Sequence, residues 1–444
     1  PNEWFVTPEF IFTLSNQGTG KASRDIHDWA RNYQIKDGKG DRLTLLNNWE
    51  STGFNFNEKK LEELMKEAKH LGVDMFLLDD GWFANKYPRQ NDKAGLGDWE
   101  VTHDKLPNGI PHLVQTAKDA GVKFGIWIEP EMVNADSDLF RTHPDWILQV
   151  PGRTPCHGRY QYVLDFSRQE ILDYIYEKIA SILEGASISY IKWDMNRSLS
   201  DVWSRGVSAR QQGEVFHRYI LGVYQMYERL TTRFPDILFE SCASGGARFD
   251  AGMLYYTPQI WCSDNSDAID RLRIQYGTSF GYPVSAMGAH VSAVPNHQTG
   301  RITPLHTRGV VAMSGTFGYE LDLLKLTEEE KDEVRSQIGE FCKYAPLIQN
   351  GRYYRLTDPF KSEVCAWEIV GNSQEEVLLN VVMEEIHGNM TVNYVQLRGL
   401  DESALYKEQT TGRIYSGAAL MHGGMPLPAE FGEYRAYQYH FVRE

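Results

Sequence analysis

The alternation of short apolar segments with helical patterns, which begins near residue 43, constrains the fold of this chain most strongly. Eight segments have the length and apolar content of buried strands: LTLLNNW, VDMFLLDDGW, VKFGIWIEPEM, YQYVLDFS, ISYIKWDMN, DILFESCASGG, QIWCSDNSD and YPVSAMGAH. Helical periodicity lies between several of them, at residues 58–72, 168–184 and 211–233, with Gly72 placed to end the first helix. Strands that alternate with helices in this way predict a (β/α)8 barrel.

The pattern changes after about residue 345. Segments such as VCAWEIV, EVLLNVVM, TVNYVQL and YRAYQYHFV alternate apolar and polar residues, and turn-forming sequences separate them. A helix predicted at residues 326–343 precedes these segments. We therefore expect an α/β protein with two domains: a (β/α)8 TIM barrel at residues 1–344 and a small antiparallel β-sandwich domain at residues 345–444.

The composition limits the binding partners and the cellular compartment that we expect for this protein. The 444 residues carry a formal charge of -15 with scattered Lys and Arg, which argues against nucleic acid or a membrane as a partner. The five cysteines lack a CxxC spacing, so neither a disulfide framework nor a zinc site is indicated. No signal peptide opens the sequence, and no apolar run reaches the roughly 18 residues of a spanning helix. We therefore expect a cytoplasmic protein with a neutral, small-molecule partner, and Pro1 at the first position suggests a processed, recombinant or partial chain.

Polar side chains follow the predicted strands at the ends where active sites of such barrels form. These residues are Asp79, Asp80, Trp127, Glu129, Asp165, Lys192, Asp194, Cys242, Asp264 and Asp267. Any single aspartate could instead cap the next helix. As a group, carboxylates and tryptophans are typical of a metal site or of a carbohydrate site. Metal is the weaker interpretation, because Lys192 already supplies a cation and His290 and His297 lack an i, i+4 helical spacing.

Two of these carboxyl groups suit glycoside cleavage, in which one group acts at the anomeric carbon and the other protonates the leaving oxygen. Lys192 precedes Asp194 by two residues on the same strand face, which favours a charged carboxylate at Asp194. Asp264 lies close to Asp267 and Asp270, whose charges favour a protonated neighbour. The residues alone do not decide whether Asp264 or Asp267 is the acid.

Several longer motifs follow one another in an order that is typical of one family. They are LDDGWF, FGIWIEPEMVN, HGRYQYVLDFS, YIKWDMNR, ESCASGGARFD, CSDNSDAIDRLRIQYGTSFGYP, MGAHVSAVPNHQTGR and MSGTFGYELDL. Together they resemble glycoside hydrolase family 36, in its bacterial α-galactosidase branch. The resemblance implies a retaining α-galactosidase that removes terminal α-linked galactose from raffinose- or melibiose-type oligosaccharides by double displacement, without a cofactor.

The same resemblance implies roles for individual residues. Asp194 of KWDMNR becomes the nucleophile, and Asp264, the first aspartate of SDNSD, becomes the acid/base. Substrate-binding roles are implied for Trp49, Asp79, Asp80, Trp127, Arg159, Lys192, Asn196, Cys242 and Gly245, with Ser263 and Asp267 as further contacts and no metal ligand. In this assignment the Asp79–Asp80 pair binds galactose O4 and O6, and Cys242 with Gly245 shapes the space beside O2.

Family members usually carry a large N-terminal β-sandwich domain, whereas this sequence begins almost at the barrel. We therefore expect a homo-oligomer, if one forms, to differ from that of relatives, and raffinose to be handled less well. Two alternatives to hydrolysis stay open. One is a galactosyl-transferring transglycosylase of the raffinose-synthase kind, and the other is a non-catalytic sugar-binding protein on the same scaffold.

Overall fold

The computed structural model of the chain describes residue 4, residues 6–389 and residues 392–444. Its strands are β1 (Leu45–Asn47), β2 (Met75–Leu78), β3 (Lys123–Ile128), β4 (Met132–Asn134), β5 (Gln161–Val163), β6 (Tyr190–Trp193), β7 (Leu238–Ser241), β8 (Gln259–Trp261), β9 (Met287–Ser292), β10 (Thr316–Glu320), β11 (Arg352–Arg355), β12 (Val364–Val370), β13 (Glu376–Met383), β14 (Tyr394–Val395), β15 (Leu405–Glu408), β16 (Ile414–Ser416), β17 (Met425–Pro426) and β18 (Arg435–Arg443). Its α-helices are α1 (Thr19–Trp29), α2 (Trp49–Thr52), α3 (Glu58–Leu71), α4 (Gly109–Ala120), α5 (Asp138–Thr142), α6 (Gln169–Gly185), α7 (Val215–Arg233), α8 (Ala251–Leu254), α9 (Ala268–Thr278), α10 (Leu305–Ala312) and α11 (Glu328–Asn350).

Eight parallel strands close into a barrel in the order β1-β10-β9-β8-β7-β6-β3-β2. The predicted (β/α)8 barrel is therefore confirmed. Because all of its strands point the same way, their carboxyl ends meet on one face of the barrel, where the following loops can build a common site.

The sequence analysis predicts eight barrel strands, which is the right number, but one of the eight predicted segments lies outside the barrel. YQYV forms β5, which pairs antiparallel with β4 outside the barrel, with Met132 opposite Val163. Only three residues separate β3 from β4, so the chain turns back directly and makes this small sheet instead of a further barrel strand. The missing barrel strand is β10, which lies between β1 and β9.

The sequence analysis overlooked β10, which is short and contains Gly318 at its centre. A Cβ atom on Gly318 would lie 2.6 Å from the carbonyl oxygen of Leu45 and 2.8 Å from Cδ2 of His290. Glycine therefore permits the close approach of neighbouring strands here, although it weakens the strand signal in the sequence. All five residues of β10 are buried, as expected of a barrel strand.

The predicted helices form on the barrel's outer side, as α3 illustrates. Asn57 caps its first turn by accepting a hydrogen bond from Lys60 N at 3.0 Å. Gly72 ends it in the left-handed conformation at φ +97°, as the sequence predicts. The apolar face is buried, and full burial of each leucine on it contributes roughly 1.5–3 kcal/mol. This face consists of Leu61, Leu64, Met65, Ala68 and Leu71.

The chain after the barrel forms antiparallel sheets, which confirms the predicted fold class. Six strands pair in the order β11-β12-β13-β18-β15-β16, and β14 pairs with β17. This part has an apolar core of its own, and it also contacts the barrel through Trp367, whose Nε1 lies 2.5 Å from Oγ of Ser314. The division at residues 344 and 345, which falls within α11, stays a prediction. Among the described residues, no helix combines the length and apolar character needed to cross a membrane.

Candidate active site

A pocket of about 140 Å³ opens at the carboxyl ends of the barrel strands. Four aspartates, two cations and three tryptophans contribute to its wall. Its lining residues are Trp49, Glu50, Asp79, Asp80, Trp127, Arg159, Lys192, Asp194, Asn196, Trp261, Asp264, His297, Gln298 and Glu320. Nine of the eleven predicted site residues are in this set; Cys242 and Gly245 are the two that are not. The barrel thus brings together side chains that are separated by more than 200 residues in the sequence.

Asp194 follows β6 and is surrounded by hydrogen-bond donors. Its Oδ2 accepts hydrogen bonds from Asn196 Nδ2 at 2.6 Å and from Trp127 Nε1 at 3.3 Å. Its Oδ1 accepts one from the backbone nitrogen of Met195 at 2.8 Å. Hydrogen bonds to both oxygens fix the direction of a carboxyl group. Asp194 is therefore held in one orientation on the wall of the pocket.

Lys192 and Asp79 form a buried ion pair beside Asp194. Lys192 Nζ lies 2.9 Å from Asp79 Oδ2, which also accepts a hydrogen bond from Asn47 Nδ2 at 2.7 Å. Burial acts to lower the pKa of Lys192, but Asp79 and the other surrounding acids outweigh it and hold the pKa well above its ordinary value. Lys192 therefore stays charged in the pocket wall.

Asp80 is held by an arginine that lies behind the pocket. Arg89 donates from Nε to Oδ1 of Asp80 at 3.0 Å and from Nη2 to Oδ2 at 2.9 Å, and the Arg89 side chain is completely buried. Burial raises the pKa of Asp80, whereas the charge of Arg89 opposes this rise. The pair directs a carboxylate toward the pocket while its remaining lone pairs can accept from a ligand.

Asp264 has a different environment from Asp194. It follows β8, and Trp261 Nε1 donates to its Oδ1 at 3.1 Å. Burial raises the pKa of Asp264, and the negative charge of Asp194 raises it further. Asp194 and Asp264 thus have contrasting surroundings: three donors hold the first, whereas burial and a neighbouring carboxylate favour the protonated form of the second.

Asp267 is the other candidate for the acid, but its carboxylate is used in contacts that hold the loops and α9 in place. It caps α9 by accepting from the backbone nitrogen atoms of Ile269 at 2.9 Å and Asp270 at 3.1 Å. Thr299 Oγ1 donates to its other oxygen at 2.7 Å, and Arg301 forms an ion pair with it. Asp267 is buried and is not among the residues that line the pocket.

Cys242 and Gly245 lie behind the pocket wall. The Cys242 side chain is buried, and burial, followed by the charges of Asp194 and Asp264, raises the pKa of its thiol well above the ordinary value. Gly245 has φ +85°, and a Cβ atom there would lie 2.7 Å from the backbone nitrogen of Asp264. Only glycine permits this close approach of the loop after β7 to the loop that carries Asp264.

Arg159 reaches the pocket from the loop before β5 and is the second cation on its wall. Its Nη2 lies 3.2 Å from Oδ1 of Asp92. Burial acts to lower the pKa of Arg159, but Asp92 and the acids of the pocket raise it overall. Its backbone, like that of Tyr160, has a positive φ, at +50° for Arg159 and +62° for Tyr160. This strained turn directs the guanidinium toward the pocket.

The structure also adds pocket residues that the sequence analysis did not assign: Glu50, Trp261, His297, Gln298 and Glu320. Glu320 was missed together with β10, at whose carboxyl end it lies. Asp165 was placed at a barrel strand end in error, because it follows β5; it is buried and accepts from Ser167 N at 3.2 Å. Recognising TFGYE as a strand would have revealed Glu320.

Potential metal ligands occur away from the pocket. In the described part of the chain, the groups that could hold an ion are Glu58 with Glu62 and His112, and Glu363 with Glu385 and His387. Neither group lines the pocket. The pocket itself offers hydrogen-bond acceptors, cations and aromatic faces, which is the chemistry that sugar hydroxyls and sugar rings require.

Comparisons with known proteins agree with this geometry. Residues 4–351 match the Melibiase family, and residues 364–441 match the glycosyl hydrolase family 36 C-terminal domain. The chain is 51% identical over 442 residues to the bifunctional alpha-galactosidase/sucrose kinase AgaSK of Mediterraneibacter gnavus, covering 99% of this chain and 46% of that protein. It is 48% identical over 443 residues to alpha-galactosidase Mel36A of Lactobacillus acidophilus, covering 99% of this chain and 60% of that protein.

Solved structures extend the likeness to three dimensions. Alpha-galactosidase AgaA from Geobacillus stearothermophilus matches with a TM-score of 0.95 at 45% identity, over 97% of this chain and 60% of that one. A variant of AgaA has been solved in complex with raffinose. The chain spans only 46% to 60% of the length of these relatives. Both family matches follow in order along the barrel and the antiparallel sheets, and on this evidence the chain belongs to glycoside hydrolase family 36.

Proposed function

We propose that this chain is a retaining α-galactosidase that hydrolyses terminal α-linked galactose from small oligosaccharides of the raffinose and melibiose type. The observation that carries the proposal is the presence of Asp194 and Asp264 on one small pocket in contrasting environments. Asp194 is held by three donors, whereas burial and Asp194 itself raise the pKa of Asp264. The alpha-galactosidases among the relatives support the substrate.

The first half of the proposed reaction uses both groups at once. Asp194 attacks the anomeric carbon through a carboxylate oxygen, and the bond from that carbon to the leaving-group oxygen breaks. Asp264 gives its proton to this oxygen, so that the rest of the oligosaccharide leaves as an alcohol. The products of this step are a galactosyl ester of Asp194 and an ionised Asp264.

The second half releases galactose. Asp264, now a carboxylate, takes a proton from water as the water oxygen attacks the anomeric carbon. The ester bond to Asp194 breaks, and both carboxyl groups return to their starting states. Two inversions at one carbon give net retention, so the galactose is released first as the α-anomer.

The adjacent pair Asp79 and Asp80 supplies selectivity for galactose in this proposal. Galactose differs from glucose in the axial direction of O4, and two neighbouring carboxylates can accept from O4 and O6 together. Lys192 and Arg89 hold these carboxylates in direction through ion pairs. A glucoside would leave one buried acceptor without its partner, which costs about 1–3 kcal/mol.

The remaining pocket residues complete the recognition of one sugar ring. Trp49 and Trp127 present aromatic faces, and Arg159, Lys192 and Asn196 can donate to hydroxyl oxygens. Cys242 and Gly245 act from behind the wall, where their small size leaves room beside O2. A homo-oligomeric state and a cytoplasmic location stay predictions.

Transglycosylation and plain sugar binding are the two alternatives. A transglycosylase would use the same two aspartates but would deliver galactose to a sugar hydroxyl instead of water. A binding protein would release an unchanged oligosaccharide, and the contrast between Asp194 and Asp264 argues against it, since binding alone needs no proton donor.

Proton NMR of melibiose hydrolysis distinguishes these functions in one experiment. Galactose that appears first as the α-anomer and then mutarotates would support the proposal. Initial β-galactose would indicate an inverting enzyme, and unchanged melibiose would contradict hydrolysis. Repeating the reaction with excess sucrose tests for transfer, because a transglycosylase would form a trisaccharide at the expense of free galactose.

A further inference from the structure

Glu50, on the wall of the pocket, connects three of the loops that surround it. It follows β1 as the second residue of α2, and only 6% of its side chain is exposed. Its Oε1 accepts a hydrogen bond from the hydroxyl of Ser266. Its Oε2 accepts one from the backbone nitrogen of Ala293 at 3.0 Å. One carboxylate therefore joins the loop after β1 to the loops after β8 and β9.

The loop after β8 is the one that carries Asp264, two residues before Ser266. The loop after β9 also forms direct hydrogen bonds to the loop after β8. Gln298 Nε2 donates to the backbone oxygen of Asp264 at 2.8 Å, and Asn296 Nδ2 donates to Ser266 Oγ at 3.2 Å. Glu50 thus contacts both members of a pair of loops that are bonded to each other, and one of these bonds is to Asp264 itself.

Other contacts hold the same loop from the side of the barrel. Arg271 donates to the backbone oxygens of Ser263 and Asn265, each at 2.8 Å. Trp261 fixes one oxygen of the Asp264 carboxyl group at 3.1 Å. These bonds restrain the backbone on either side of Asp264, while Glu50 restrains the loop from the direction of the pocket.

We propose that Glu50 is a positioning residue for Asp264, which it holds through Ser266 at the place where the leaving-group oxygen of the substrate arrives. The inference rests on the proposed function, because it assumes that Asp264 is the general acid. A displacement of about 1 Å at a reacting group can cost on the order of a hundredfold in rate. That loss should depend on the leaving group, since only a poor leaving group needs its proton.

Ser266 gives the cleanest test, because it bonds to Glu50 and is not among the lining residues of the pocket. We would measure kcat/KM of Ser266→Ala and Glu50→Gln for raffinose, a poor leaving group, and for 4-nitrophenyl α-galactoside, a good one. We expect Ser266→Ala to lose at least about tenfold more on raffinose than on the nitrophenyl substrate, within the range of general acid catalysis. Glu177→Gln, an exposed position on α6, serves as the matched control and should change neither value.

The double variant tests whether the two residues act through one contact. If they do, Glu50→Gln with Ser266→Ala should lose little more raffinose activity than the more damaging single variant. Equal losses on both substrates, a change in KM alone, or wild-type values for Ser266→Ala would overturn the inference. Wild-type protein that cleaves neither substrate would overturn the proposed function as well. Thermal melting shows whether each variant is folded, and Ser266→Thr, which keeps the hydroxyl, should restore the raffinose rate.

Discussion

The guanidinium of Arg89 donates two hydrogen bonds to the carboxylate of Asp80, at 3.0 and 2.9 Å, and the Arg89 side chain is completely buried. Asp80 lines the pocket, so this pair connects the buried part of the loop after β2 to the site. Further bonds from Arg89 Nη1 reach Asn134 Oδ1 at 3.2 Å and the backbone oxygen of Ala94 at 3.1 Å. The position of a pocket carboxylate therefore depends on a residue that is not among those lining the pocket.

Replacing Arg89 should destabilise the protein strongly. Arg89→Met leaves the buried carboxylate of Asp80 without its cation, and breaking a buried pair in this way costs about 3–5 kcal/mol. Urea unfolding followed by circular dichroism measures the loss. Arg218→Met on α7, which removes an exposed ion pair with Glu214 just before this helix, is the control and should have little effect. A similar stability for both variants would show that Asp80 does not depend on Arg89.

Asp79→Asn should reduce galactoside turnover in a protein that still folds, although its stability should fall because the buried Lys192 loses its anion. The change removes a charged acceptor that Lys192 holds in place, and loss of a charged hydrogen bond costs about 1.5–3 kcal/mol, or roughly ten- to a hundredfold in kcat/KM. Rates on 4-nitrophenyl α-galactoside and the far-ultraviolet circular dichroism spectrum test both parts. Equal rates of the wild-type protein on α-glucosides and α-galactosides would show that this carboxylate pair does not recognise O4.

Asp264 and Asp267 should differ in the kind of damage that their removal causes. Asp264→Ala should lose far more activity on raffinose than on a nitrophenyl galactoside, because the acid matters most for a poor leaving group. Asp267→Ala should instead lower stability by at least about 0.5–2 kcal/mol, since it removes the cap of α9 and also leaves Arg301 without its partner. The roles would be reversed if Asp267→Ala showed the dependence on the leaving group and Asp264→Ala did not.

Glu129 should make the stability of the protein depend on pH. Burial, and then the charge of Asp194, raise its pKa from 4.5 to about 8, so the folded state binds this proton more tightly than the unfolded chain. The stability that Glu129 contributes is therefore complete below pH 4.5 and is lost as the pH rises through about 8.

Glu129→Gln cannot lose a proton, so it isolates this effect. Its free energy of unfolding relative to the wild-type protein should increase between pH 5 and pH 8, by at most about 1.4 kcal/mol for each pH unit. Urea unfolding at the two pH values measures the difference, and the exposed Glu177→Gln should show no such trend. A difference that stays constant with pH would mean that Glu129 is charged in the folded protein throughout.

The barrel was predictable from the sequence because seven of its eight strands are apolar runs with clear ends. Apolar runs alone did not identify the eighth strand, because YQYV was predicted in the barrel where the structure has TFGYE. Both segments are short and rich in aromatic residues, and only the tertiary structure decides that the first pairs with β4 and the second with β1 and β9. The same error replaced Glu320 with Asp165 among the expected strand-end residues.

The site was predictable where a polar residue directly follows a strand, as Asp79 and Asp194 do, or lies three residues beyond its end, as Asp264 does. The site was less predictable where a residue in a loop contacts a pocket residue or another loop. Arg89 lies nine residues after Asp80 in a loop without a strand signal, and Glu50 reaches Ala293 across 243 residues. Such contacts arise from loop geometry, which apolar periodicity does not encode.

In the proposed reaction Asp194 attacks the anomeric carbon. The most direct test of this role is the product that Asp194→Gly forms from 4-nitrophenyl α-galactoside in the presence of sodium azide. The variant should be nearly inactive alone, and azide should enter from the vacated face, so that proton NMR identifies β-galactosyl azide. Hydrolysis by Asp194→Gly at the wild-type rate without azide would contradict the assignment of Asp194 as the nucleophile. Formation of α-galactosyl azide would contradict it as well.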